Sequence, residues 1–151
     1  MALLPLGACG FSPVYAPGGP GTVLRGRVAV EPPSNRLGFE LVARLEERLG
    51  RTGAGAYQLD HTISTSSQGI AITDNNDITR IRLNGMIDYA LTETGSGLQL
   101  LAGQVGSFTA YSTTGSTLAT DAAERDAETR LMVLLADRIV DELLAGAARF
   151  S

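Results

Sequence analysis

Lysine and tryptophan are absent from this 151-residue chain, and cysteine and histidine occur once each, as Cys9 and His61. Without lysine there is no Schiff-base chemistry, and all twelve basic residues are arginines, planar forks suited to phosphate or carboxylate. One cysteine cannot close an internal disulfide, and one Cys with one His cannot supply the four ligands of a structural zinc. No motif for another metal or for a cofactor is found either, and none is expected. No apolar run reaches the roughly 18 residues that a membrane-crossing helix needs. The formal net charge of -4 argues against wholesale binding to nucleic acid or to anionic headgroups, so any anion has to be met locally.

What remains is 44% hydrophobic and 19% charged, enough for one core and too short for two. The chain opens on an apolar, small-residue run that stops at Cys9 and continues into Gly- and Pro-rich sequence. Residues 1–8 read as the remnant of a signal peptide, residues 9–22 as a flexible tether, and residues 23–151 as a single domain. Only eight residues precede Cys9, shorter than a full signal peptide, and a lone cysteine is elsewhere often just a small buried hydrophobe.

Leu24 to Glu31 alternates as a strand, with Val28 and Val30 on one face and Arg25, Arg27 and Ala29 on the other. Pro32-Pro33 ends it. Ser34 or Asn35 then caps an amphipathic helix with Leu37, Leu41, Leu45 and Leu49 at helical spacing, stopped by Gly50 and Gly53. A long strand follows from Tyr57, with Leu59, His61 and Ile63 in phase and a bulge expected before Ile70 and Ile72. Asp74 to Asp77 is a turn; it lacks the Gly and Glu that would complete a calcium loop. The next strand, Ile78 to Glu93, puts Ile81, Leu83, Ile87, Tyr89 and Leu91 on one face and Arg80, Arg82, Asn84 and Asp88 on the other. Leu98 to Thr113 is a further strand carrying Leu101, Val105, Phe108 and Tyr111. Thr120 or Asp121, boxed with Glu124, opens a last helix to about Ala148 with Ala127, Leu131, Leu135, Ile139 and Leu143 as its stripe.

The order β-α-β-β-β-α predicts an α+β two-layer sandwich: a four-stranded, mostly antiparallel sheet with two helices on one face. No catalytic constellation stands out. There is no Gly-x-Ser-x-Gly elbow, and His61 falls on the apolar alternation, where a histidine of the core or sheet edge with one hydrogen-bond partner is the expected reading. The chemistry-bearing feature is arginine on strands. Arg80 and Arg82 are two apart and share the open face, and Arg25 and Arg27 repeat the spacing, so four guanidinium groups form a candidate anion-binding set if the strands are neighbours. The plainer alternative is a solvated sheet face.

Leu6-Gly7-Ala8-Cys9 resembles the bacterial lipobox, in which the cysteine receives the lipid. Together with Gly10-Phe11 and Pro13-Val14-Tyr15, it resembles the Cys-Gly-Phe-x-Pro-Leu-Tyr opening of the alphaproteobacterial LptE family of lipopolysaccharide-assembly lipoproteins. Thr120 to Ala127, leading into Leu134-Leu135-Ala136-Asp137-Arg138-Ile139, is similar to that family's Ala-Glu-Arg-Asp-Ala helix. The resemblance implies a non-enzymatic outer-membrane lipoprotein, anchored on the periplasmic side through lipidated Cys9. It further implies that the protein plugs and helps assemble an LptD-type β-barrel, assists lipopolysaccharide transport and has no nucleic acid partner. It transfers no lipopolysaccharide-contacting residue. Two other classes stay in play: an auxiliary lipoprotein of a periplasmic lipid-transport ABC system, and, with no supporting spacing, a small hydrolase using His61.

Overall fold

The computed structural model describes residues 20–72 and 78–147. Cys9, the residues around it and the turn at Asp74 to Asp77 lie outside them. The element order is α1 (Pro20–Leu24), β1 (Val28–Val30), α2 (Arg36–Leu49), β2 (Tyr57–Ile72), β3 (Ile78–Glu93), β4 (Gln99–Ser112) and α3 (Thr117–Ala147). The fold is α+β, with strands in the order β1-β2-β3-β4. β1 pairs with β2 in parallel, and the other two pairings are antiparallel.

The first strand is shorter than its alternation predicts. Gly26 adopts φ 69, and the N–H groups of Arg25 and Arg27 bond back to the carbonyls of Gly21 and Leu24, so the chain turns here instead of extending. The turn drops Leu24 into the core, fully buried, at the end of the extra helix α1. Three residues of strand remain before Pro32 and Pro33, which lack donors for a ladder.

α2 forms where its leucine spacing places it. Asn35 is the cap, its side-chain oxygen accepting from the Gly38 N–H at 2.8 Å, and the Gly50 N–H closes the other end on the Glu46 carbonyl. α3 starts earlier than expected. Ser116 caps it, with its Oγ accepting from the Ala119 N–H, so Thr120 and Asp121 lie inside the helix and form no capping box. Glu124 instead faces Tyr111, whose hydroxyl is pushed up by burial and by that carboxylate. At 31 residues α3 is about 46 Å long, which matches a 14-residue strand at about 3.3 Å per residue. One helix therefore runs the length of β3 and β4.

Both long helices cover one face. Leu41, Leu45, Leu59, Ile87, Leu91, Leu131, Leu135, Ile139 and Leu143 are fully buried between the layers. Gly85 marks the closest approach: a Cβ there would lie 2.9 Å from both Leu131 Cδ2 and Leu135 Cδ1. α2 reaches β2 only as far as Ile63, so the core-side positions Thr65, Ser67 and Gly69 stay exposed, which accounts for that Ser/Thr stretch. The expected bulge is present, with register shifts between Gly69, Ala71 and Ile72.

The helices are clamped through a motif residue. Asp137 on α3 accepts from Arg44 Nε at 2.9 Å, from Arg44 Nη2 at 3.1 Å and from Arg48 Nη1 at 2.6 Å, both arginines lying on α2. Burial alone would raise this carboxyl, but the hydrogen bonds and charges of Arg44 and Arg48 outweigh it and hold it below its ordinary 3.8. His61 is shifted down from 6.5 by burial, against the pull of Glu31 and Asp60. Its Nδ1 is buried without a hydrogen-bond partner among the described residues, where one was expected; Glu31 Oε2 is 3.9 Å away. Both folded values are depressed, so the stability each group contributes is present above its unfolded value and lost as pH falls through the folded one. Melting temperature should therefore decline below about pH 6.5 through His61 and further below about pH 4 through Asp137. His61→Leu should flatten the first limb and Asp137→Asn the second. A pH profile unchanged in either variant contradicts the assignment.

Candidate functional site

The uncovered face of the sheet is formed by the alternate residues of β2, β3 and β4. Arg82 lies opposite Gln68 on β2 and Ala110 on β4, and Arg80 opposite Ala71 and Ser112, so both guanidinium groups emerge near the hairpin end of this face. Neither is ion-paired among the described residues. The nearest carboxylate in phase on β3 is Asp88, six residues or about 20 Å along the strand from Arg82, and it accepts from Gln104 Nε2 at 2.7 Å. The face is thus polarised, with carboxylates at the far end and two uncompensated cations at the hairpin end.

Arg82 does not float free. Its guanidinium carbon sits 4.0 Å from the centroid of the Phe108 ring, a cation–π contact that ties the guanidinium to a side chain of β4. Phe108 is 56% exposed and Met86, two strand positions beyond Asn84, is 45% exposed. Phe108 was expected beside Leu101, Val105 and Tyr111, but they are odd-numbered and it is even, so the pleat turns it outward. Parity in the sequence carries that signal. Cation, aromatic ring and thioether now stand side by side, a combination suited to a ligand that is anionic at one point and apolar beside it.

Arg25 and Arg27 do not join this set. They lie in the turn before β1, and Val28 pairs with Tyr57, eleven residues along β2 from Gln68 and so about 36 Å from it. Arg27 is engaged where it stands, donating to the Val23 carbonyl at 3.4 Å and lying 5.3 Å from the centroid of Tyr57. The four-arginine cluster is corrected to a pair, because the chain turns at Gly26 and the two arginine pairs end up at opposite ends of the sheet.

His61 lines a shallow polar cleft of about 230 Å³ with Ser34, Asn35, Gly38, Thr62 and Ile63. No cluster of three metal-ligating side chains occurs among the described residues. No helix among them is long and apolar enough to cross a membrane.

Residues 26–143 match the LptE family, described as lipopolysaccharide-assembly. The match begins after Cys9 and takes in Arg80, Arg82, Phe108 and Asp137. No curated protein matches the sequence significantly. Among solved structures, a Caulobacter crescentus protein described as a lipoprotein superposes with a TM-score of 0.71 at 21% identity, covering 87% of this chain and 97% of that one. The rare lipoprotein B of Shewanella oneidensis gives 0.63 at 13% identity, with 82% and 96% covered. A minor lipoprotein of Acinetobacter baumannii gives 0.59 at 14%, with 80% and 91% covered. At these identities the structural likeness establishes the fold.

Proposed function

As the chain belongs to the LptE family of lipopolysaccharide-assembly proteins, we propose that it is a non-enzymatic outer-membrane lipoprotein, tethered on the periplasmic side by a lipid on Cys9. In this reading it sits as a plug in the lumen of an LptD-type β-barrel, helps that barrel assemble and assists delivery of lipopolysaccharide to the cell surface. The family match over most of the chain carries the proposal and favours it over an ABC-transport accessory. The physical features support it: a rigid two-layer body braced by the Asp137 clamp, and an open face whose unpaired cations stand beside exposed apolar groups.

In this proposal Arg80 and Arg82 meet phosphates of lipopolysaccharide, while Phe108 and Met86 supply the apolar contact beside them. Arg25 and Arg27 are too far away to serve the same phosphate group. The partner assignment is tested by affinity purification of the full-length gene product from membranes in mild detergent. The expected result is co-purification of a large β-barrel protein, with mass spectrometry placing acyl chains on Cys9 as the mature N-terminus. Recovery without a barrel protein contradicts the plug assignment, and unacylated Cys9 contradicts the anchor.

A further inference from the structure

The two edges of the sheet are managed differently. At one edge β1 is three residues long and flanked by Pro32 and Pro33, the Glu31 carboxylate takes the His61 backbone N–H, and a bulge interrupts the end of β2. At the other edge β4 runs for 14 residues and pairs only with β3 among the described residues. Its register is regular from Leu101 to Ser112. No charged residue and no proline occurs between Glu93 and Asp121, so nothing in the sequence blunts this edge. Beside it, a groove of about 270 Å³ lies between β4 and α3, lined by Thr109, Thr129, Arg130, Val133 and Leu134, the last 44% exposed.

We propose that, in the absence of another partner, β4 pairs antiparallel with β4 of a second copy of this chain. The pairing makes a two-fold dimer with a continuous eight-stranded sheet, in which Leu134 of each copy packs at the groove of the other. Free N–H and C=O groups at strand spacing are satisfied along their length only by another extended strand. Spacing selects a second copy. α3 straddles β3 and β4, touching Gly85 on the first and Thr109 and Leu101 on the second, so its axis lies about half a strand spacing inside β4. Pairing two β4 edges at about 4.8 Å therefore sets the two α3 axes roughly 10 Å apart, at the upper end of the 8–10 Å at which helices pack.

Area agrees with this choice. An edge about 46 Å long and roughly 15 Å high offers on the order of 700 Å², close to the ~800 Å² per partner of a stable specific interface. The strand itself brings no like charges together although each copy carries a net charge of -4, and Arg130, the one charged residue lining the groove, is paired with Asp126 on its own helix at 2.8 Å. The proposal concerns the chain without the barrel and does not depend on the barrel assignment.

The test is analytical ultracentrifugation of the full chain carrying Cys9→Ser, which rules out a disulfide as the link. The expected result is a mass twice 15.8 kDa at micromolar concentrations, with Leu134→Glu and Gly106→Glu each weakening association at least tenfold and leaving circular dichroism unchanged. A Cβ at Gly106 would make only ordinary van der Waals contact, 3.8 Å from the Gly85 carbonyl oxygen and from Met86 Cγ, and Leu134 is 44% exposed, so both variants are compatible with the fold. Amide hydrogen exchange on the unsubstituted edge provides a second readout, since the outward β4 amides should lose protection on dilution. A monomer throughout, or a dimer indifferent to both substitutions, overturns the proposal. So does a monomer whose β4 amides become protected only when a barrel protein is added, an outcome that assigns the edge to the barrel instead.

Discussion

Replacing Leu135 by Ala is expected to lower the free energy of unfolding by about 2–5 kcal/mol, the range for emptying a packed leucine site. Leu135 is fully buried on α3, and its Cδ1 lies only 2.9 Å from where a Cβ on Gly85 would be. The missing side chain at Gly85 is what lets α3 settle this close to β3, so Leu135 fills the space directly above the sheet backbone. That backbone is held in register by β2 and β4 on either side, and α3 is clamped to α2 through Asp137, so the site has little freedom to collapse once emptied. Denaturant titration should show a lower midpoint with an unchanged slope. A loss well under 2 kcal/mol would mean that the Leu131, Leu135 and Ile139 stripe is an interface for a partner rather than a core.

Much of this architecture is legible in residue spacing. The leucines of α2, the long stripe of α3 and the alternation of β3 each place their side chains on the face the structure buries, because a helix facing a sheet leaves few other ways to hide that much apolar surface. The misreadings share a cause: short-range pattern was outvoted by tertiary context. Leu24 to Glu31 alternates well enough for a strand, but a glycine able to take positive φ sits at position 26 and the core has room for Leu24, so the chain turns. Thr120 and Asp121 are good caps in isolation, yet Ser116 lies one turn earlier and its Oγ takes the Ala119 N–H, so α3 starts there although the buried residues of the helix begin only at Ala127. Phe108 was readable by parity and was obscured by its apolar neighbours. The partners of Asp137 are 89 and 93 positions away in sequence, a separation that no local pattern reports.

The candidate site was legible only in half. The two-residue spacing of Arg80 and Arg82 is enough to put them on one face, but which cations they would join, and that Phe108 would lie under one of them, depends on strand order and on the turn at Gly26. The corrected pair yields the second large effect. Arg80→Ala with Arg82→Ala removes both unpaired cations and the anchor of the Arg82–Phe108 contact, and lipopolysaccharide binding should weaken by at least about tenfold, equivalent to ~1.4 kcal/mol. Two charge-assisted contacts to phosphate are worth more than that when buried and less when exposed, and Arg80 is exposed while Arg82 is half buried. Neither side chain supports the core, so the melting temperature should stay near that of the parent.

The claim that this open face receives the anionic end of lipopolysaccharide is tested most directly by titrating purified lipopolysaccharide into parent and double variant at low and at near-physiological salt. The account predicts tight binding by the parent that weakens as salt shortens the screening length to about 8 Å, and a variant that binds at least about tenfold more weakly with little remaining salt dependence. Equal affinity in the two proteins, with the same salt dependence, would contradict it.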